Sequence, residues 1–257
     1  MKLGAYQFPV TKNIKYNLET VKKAVINASH EGVKLLVFPE CALTGYPPRD
    51  IEKPSLVNFH ELDFAYEQLQ SLADKNTMHI IIGTMMQEDE NYYNSAILFA
   101  PYKEKRFYHK RALWGWDRNH FSIGNSSGIF EIDEWKIGVR ICFEVRFPEF
   151  FRELYEEHTD LNIIMFYDVA DCDNIERYEL IKSHIRTRAV ENVTYTLAVD
   201  AICPCQTAPT ALYDRSGRSL MELKRNEESM LVYDLEKSEP DFGEKGRMEI
   251  SNWLMKA

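Results

Sequence analysis

The chain has 257 residues, 45% of them apolar and 28% charged, which is enough apolar material to bury a full core within one domain. A net charge of −9 with no clustered Lys/Arg run argues against a nucleic-acid surface, because phosphate binding needs concentrated positive charge. The same balance suits a small neutral or weakly polar substrate better than a polyanion. No run of about 18 apolar residues is present, so no membrane-spanning helix is expected, and MKLGAYQFPV lacks the apolar stretch of a signal peptide. The five cysteines (Cys41, Cys142, Cys172, Cys203, Cys205) are odd in number and irregularly spaced, which favours reduced thiols and a cytoplasmic location.

Strand-like and helix-like segments alternate along the chain. Residues 2–8 form a first strand, and Leu18, Val21, Ala24, Val25 and Ala28 recur at helical spacing over 15–31, with Gly32 as a stop. KLLVFPE (34–40) is a continuous apolar run closed by proline and glutamate, the pattern of a strand buried on both faces. A helix over 59–75 and strands over 79–86, 94–101 and 103–110 complete the first half. The second half repeats the rhythm: a strand at 135–142, a helix at 147–157, a strand at 161–167 and a long helix at 176–193. Strands at 194–202, 209–217, 219–223 and 229–236 follow, with turn signals such as Asp-Arg-Ser-Gly (214–217) between them. Two strand–helix halves of similar plan predict two mixed sheets, each covered by helices, packed as a four-layer α-β-β-α sandwich in one domain over 1–257.

Three residues at strand ends carry candidate chemistry. Cys142 closes the strand WKIGVRIC just before a segment that turns into a helix. Backbone N–H groups converge at such a corner, which favours a thiolate and can hold an oxyanion. Taken alone, it is equally readable as a small apolar core residue. Glu40 ends KLLVFPE, where α/β proteins place functional groups, and Lys110 ends the strand RFYHK ahead of ALWGW. Either by itself reads as an ordinary surface charge.

Together these segments change the reading. VFPE followed by GYP, YHKRALW, and GVRICFEVRFPE occur in that order, each after a strand, and they resemble the three signatures of the nitrilase superfamily of carbon–nitrogen hydrolases. The similarity extends over nearly the whole chain, through YNSAILF (93–99) and RTRAVENVTYTLAVD (186–200). The resemblance implies Glu40 as general base, Lys110 as oxyanion-stabilising lysine and Cys142 as nucleophile. The backbone N–H of Phe143 would be a second oxyanion donor. The implied reaction is amide hydrolysis through a cysteine thioester, with no metal or organic cofactor. YHKRALW, the following F-x-x-G-N and ICFEVRFPE are most similar to the omega-amidase-like branch, which acts on short dicarboxylic monoamides. The PPRD after Gly45-Tyr46 also resembles the glutaminase domain of NAD synthetases. The family further implies a homodimer, and the apolar residues of ISNWLMKA (250–257) could cross such an interface.

Other positions depart from the family pattern or stay open. Where many members carry a second glutamate, this chain offers Asp117, with His120 as the next candidate. Asp168, after the strand LNIIMFY, could bind a cationic substrate or serve as a loop cap. Glu144 and Arg146 are expected to pair and support the nucleophile loop. Tyr46 either lines the pocket mouth or stays structural, and His109 is expected to point away from the site because neighbouring strand residues alternate. Two readings of other classes remain. One is a non-catalytic ligand-binding member of the fold, and the other is a metal or redox protein built on Cys203 and Cys205, whose C-x-C spacing lacks a second ligand pair.

Overall fold

The computed structural model describes residues 1–256, so the last position of the 1–257 domain and of the 250–257 segment lies outside the described residues. In chain order the first half supplies β1 (Lys2–Gln7), α1 (Ile14–His30), β2 (Leu35–Val37), α2 (Phe59–Asn76), β3 (His79–Glu88), β4 (Asn91–Phe99) and β5 (Arg106–His109). Next come α3 (Trp116–His120), β6 (Ile129–Ile132), β7 (Trp135–Ile141), α4 (Pro148–Glu156), β8 (Leu161–Phe166), β9 (Val169–Ala170) and α5 (Ile175–Asn192). The chain closes with β10 (Tyr195–Asp200), β11 (Cys205–Gln206), β12 (Ala211–Tyr213), β13 (Ser219–Glu222), β14 (Ser229–Asp234) and α6 (Phe242–Leu254).

Two six-stranded sheets result, ordered β14-β1-β2-β3-β4-β5 and β13-β12-β10-β8-β7-β6. Both are mixed. The inner trios β1-β2-β3 and β7-β8-β10 run parallel, and the outer pairings are antiparallel. The last strand, β14, returns to pair with β1, Lys2 facing Asp234, and so ties the two ends of the chain into one sheet.

Side-chain alternation builds the layers. Leu35 and Val37 of β2, Ile81 of β3, Leu161, Ile163 and Met165 of β8, and Leu197 and Val199 of β10 share one buried cluster between the sheets. Their neighbours point the other way. Leu36, Ile80 and Ile82 pack with Val21, Val25, Leu62 and Leu69 of α1 and α2. Ile164, Phe166 and Ala198 pack with Phe151 and Leu154 of α4 and Ile181 and Ile185 of α5. Strands apolar on both faces can only be satisfied this way, and the expected α-β-β-α sandwich is the outcome. Each long helix starts at an asparagine: the side chains of Asn13, Asn58 and Asn174 accept the N–H of Tyr16, Glu61 and Arg177.

Boundaries moved where local chemistry intervened. The strand expected over 34–40 stops at Val37, because Pro39 has no N–H to give the ladder and the chain then bends toward the second sheet. That bend needs Gly83 on β3: a Cβ there would lie 2.3 Å from the Pro39 carbonyl oxygen and 2.5 Å from the Glu40 Cα. The strand expected over 103–110 begins only at Arg106, after a turn. The short elements α3 and β6 carry too few residues for a period to show. Helix α6 buries only Glu244 and Ser251, so no apolar stripe marks it.

Gly83→Ala is therefore expected to destabilise the fold by about 1–3 kcal/mol, the usual cost of overpacking against unyielding backbone. Chemical denaturation of the two proteins measures it, and an unchanged midpoint would contradict the close approach.

Candidate active site

The candidate side chains follow the carboxyl ends of two inner strands and one edge strand. Glu40 lies three residues past β2, Lys110 directly after β5, and Cys142 directly after β7. Glu40 is held by both sheets. Its backbone N–H donates to the Phe166 carbonyl of β8 at 3.2 Å, and its Oε2 accepts the Tyr167 N–H at 2.9 Å. Its Oε1 accepts Asn94 Nδ2 at 2.7 Å and Lys110 Nζ at 2.9 Å. Every partner is a donor, which is the setting of an ionised carboxylate.

Lys110 is 2% exposed, Glu40 1% and Asp117 7%. Lys110 Nζ bridges Glu40 and Asp117, reaching Asp117 Oδ2 at 3.1 Å. Tyr46 donates its hydroxyl to Asp117 at 2.8 Å, stacks on Tyr167 at 5.3 Å between ring centroids, and lies under the Lys110 ammonium at 5.8 Å. Gly124 packs against β5, and its N–H donates to the Lys110 carbonyl at 3.1 Å.

Cys142 sits at a sharp corner. It is a non-glycine residue with φ +45°, and it opens a single 3₁₀ turn over Cys142–Arg146 that leads into α4. Unlike Glu40 and Lys110, it keeps part of its surface open. Glu144 holds the corner. Fully buried, it accepts the N–H of Ile141 at 2.6 Å, the N–H of Arg111 at 2.7 Å and the Tyr108 hydroxyl at 2.7 Å. One carboxylate thus fixes the residue before the thiol and the residue after the lysine in a single frame.

The electrostatics follow from burial. Burial pushes the Glu40 carboxyl above its usual range, against the pull of Lys110. Burial alone would push the Lys110 ammonium down, but Glu40, Tyr46, Cys142 and Asp117 more than offset it, and the net displacement is well upward. The Cys142 thiol is raised well above its usual value by burial and then by Glu40, with Lys110 opposing. The thiol is thus held toward its protonated form, beside a carboxylate whose every partner is a donor and an ammonium fixed by two carboxylates.

Of the positions read from sequence, Glu40, Lys110, Asp117 and Tyr46 meet in one hydrogen-bonded cluster, and Cys142 couples to it through space. Phe143 stands next to the thiol in the same turn. Two expectations are corrected. Glu144 does not pair with Arg146; backbone N–H groups from the lysine loop, more than thirty residues earlier in the chain, reach it first. Asp168 is not an open carboxylate for a cationic substrate. It is buried, gripped by Arg177 through two bonds of 2.7 Å, and it also accepts the Thr207 hydroxyl. His120 stacks on Trp116 at the surface, and His109 turns away toward Ser95 and Glu88. Asn94, Tyr167 and Arg177 were not singled out beforehand. Asn94 lies within β4 and Tyr167 directly follows β8, where the only signal is a polar group next to an apolar run. Cys203 is exposed and Cys205 half-buried, both free, and among the described residues no group of three or more His, Cys, Asp or Glu could hold a metal ion. No helix among the described residues is long and apolar enough to cross a membrane.

The site gathers a thiol on a strained corner and a buried carboxylate–ammonium pair on an α-β-β-α sandwich. The carbon–nitrogen hydrolase family model matches residues 2–239, and the chain belongs to that family. It is 29% identical to the 2-oxoglutaramate amidase of Bacillus subtilis over 79% of this chain and 76% of that protein. It is 24% identical to Nitrilase 3 of Arabidopsis thaliana over 75% of this chain, spanning only 59% of that relative's length. A glutamine-dependent NAD(+) synthetase of Synechocystis is 30% identical over 61% of the chain, which spans 30% of that protein. Among solved structures, the NitN amidase of Nesterenkonia sp. AN1 shares the fold with a TM-score of 0.81 at 22% identity, covering 99% of this chain and 100% of that one. Structures of that amidase include one with acrylamide added at its active-site cysteine and one with bound butyramide.

Two outcomes are expected. Glu144→Ala, which frees both loops, should lower kcat by about 10²-fold, the scale of a small misplacement of reacting groups, while far-ultraviolet circular dichroism stays native. In the pH profile, the base must be ionised to act, and burial raises its proton affinity. Activity should therefore fall as pH drops through a region above the ordinary carboxylate range, and Lys110, displaced upward, should give no loss near neutrality. An acid limb of kcat/KM within or below the ordinary carboxylate range would contradict the burial of Glu40.

Proposed function

We propose that this chain hydrolyses the amide bond of a small molecule through a thioester on Cys142. The observation that carries the reading is the buried Glu40–Lys110 pair, tied through Glu144 to the corner that carries the partly open Cys142. Glu40 takes the thiol proton as sulfur attacks the carbonyl carbon. The resulting oxyanion is held by Lys110 and the Phe143 N–H. Collapse breaks the C–N bond as Glu40 returns its proton to the leaving nitrogen, releasing ammonia or an amine. Water then attacks the thioester, Glu40 accepts its proton, the C–S bond breaks, and the proton returns to sulfur as the acid departs. Asp117 acts as the second carboxylate of the set, holding Lys110 in line with Tyr46.

Within the family, the reading is omega-amidase-like: short monoamides of dicarboxylic acids. The likeness to a 2-oxoglutaramate amidase supports it, since that relative matches over most of both chains. The five free cysteines suit a reducing compartment such as the cytoplasm. We also propose a homodimer: α6 leaves Ile250, Trp253 and Leu254 exposed at 56%, 64% and 60%. Sedimentation at micromolar concentration checks it, and a monomer would end it.

The deciding measurement pairs ammonia release with intact-protein mass after brief exposure to amides, N-carbamoyl compounds and nitriles. Amides should leave an acyl-sized adduct on Cys142, and Cys142→Ala should abolish both adduct and turnover, by about 10³-fold or more. Undiminished turnover in that variant would overturn the assignment.

A further inference from the structure

The segment that leaves β8 begins at the site. Asp168 follows Tyr167, whose N–H donates to Glu40 at 2.9 Å, and both Asp168 and its neighbour Asp200 are buried. Three aspartates in this segment each take an arginine: Asp168 with Arg177, Asp171 with Arg49, and Asp173 with Arg225. Only the first pair has its acid buried. The Asp168 side chain is 7% exposed and that of Arg177 43%, so the carboxylate is sealed and the guanidinium is what solvent meets.

The bonding fixes which part of the guanidinium is free. Nε donates to Oδ1 and Nη2 to Oδ2, both at 2.7 Å, so one bidentate edge is spent on Asp168. Nη1 has no protein partner among the described residues, and the Nη1–Nη2 edge remains a second fork for a planar anion. Asp168 is itself immobile: it accepts the Thr207 hydroxyl, and its backbone N–H donates to Asp200 at 2.9 Å. Arg177 is also anchored through its backbone, whose N–H is capped by Asn174 at 2.9 Å at the start of α5. An arginine pinned at both ends loses little freedom on binding, which is the condition for a selective contact.

We propose that Arg177 is a carboxylate-binding residue at the mouth of the site, reading the distal carboxylate of an acidic amide while Cys142 attacks the amide at the other end. The proposal rests on the amidase reading of Cys142 and narrows its substrates to amides that carry a second, ionised acid. Asp168 then serves as the positioning residue that aims the guanidinium.

The test compares succinamic acid with 4-methylpentanamide, which replaces the carboxylate by an uncharged group of the same shape. In the full-length protein the ratio of kcat/KM for the acid over the neutral amide should fall about 10- to 100-fold in Arg177→Gln, through KM, with Arg177→Lys recovering part. Removing Arg177 also leaves Asp168 uncompensated, so Asp168→Asn/Arg177→Gln is included. Persistence of the loss in the double variant supports direct contact, and its disappearance overturns it. Arg146→Gln is the competitor: a ratio that depends on Arg146 and not on Arg177 overturns the proposal. Protection of Cys142 from iodoacetamide by succinate gives a readout independent of turnover, and Arg177→Gln should weaken it by the same factor. If neither amide is hydrolysed, the amidase reading fails while the protection series still decides Arg177. If acid and neutral amide are used equally and succinate protects neither protein, the role of Arg177 fails alone.

Discussion

The ammonium of Lys110, enclosed between the carboxylates of Glu40 and Asp117, is the contact on which the rest of the site depends. Burying three charges carries a desolvation cost of several kcal/mol per ion, recovered only when geometry is good and every remaining valence is filled. Here it is filled: Asn94 and Tyr167 donate to Glu40, and Tyr46 to Asp117. A hydrophobic substitute for the trio could be as stable, so stability alone does not account for it. The proposed chemistry, in which a proton leaves a thiol and an oxyanion is held, does account for it.

The same site is also where the two sheets are stitched together. Glu40 leaves the first sheet, gives its N–H to the Phe166 carbonyl of β8 in the second, and accepts the Tyr167 N–H just past that strand, while Asn94 and Lys110 of the first sheet hold its other oxygen. Glu144 works in the opposite direction, from the nucleophile corner of the second sheet to the lysine loop of the first. The relative placement of base, lysine and thiol is thus set by bonds that span the sandwich, and close packing of the central layer keeps it from drifting. At the site, two non-glycine residues take the strained left-handed conformation: Cys41 beside Glu40, at φ +51°, and Cys142 at its corner, at φ +45°.

Family and layer order were legible in the chain itself. Strands such as KLLVFPE, HIIIG and LNIIMF are apolar on both faces, and a strand with two apolar faces has to be covered twice. Glu40, Lys110 and Cys142, the candidate trio, each stand at a predicted strand end inside a recognisable motif. Elements without a repeating apolar pattern were illegible: α6 touches the body with few side chains, α3 has five residues, and β6 has four.

What the chain could not reveal is which polar groups find each other. Asp168 stayed open between a substrate-binding anion and a loop cap because its partner, Arg177, lies nine residues on and meets it only once α5 docks. Glu144 was assigned the nearest arginine, yet the lysine loop brings it backbone donors from the other sheet. Periodicity and strand-end motifs are local, so sequence determined the elements, their burial and the candidate residues. Hydrogen bonds and ion pairs in a low-dielectric interior go to whichever group packing brings within about 3 Å, so tertiary structure alone decided their partners.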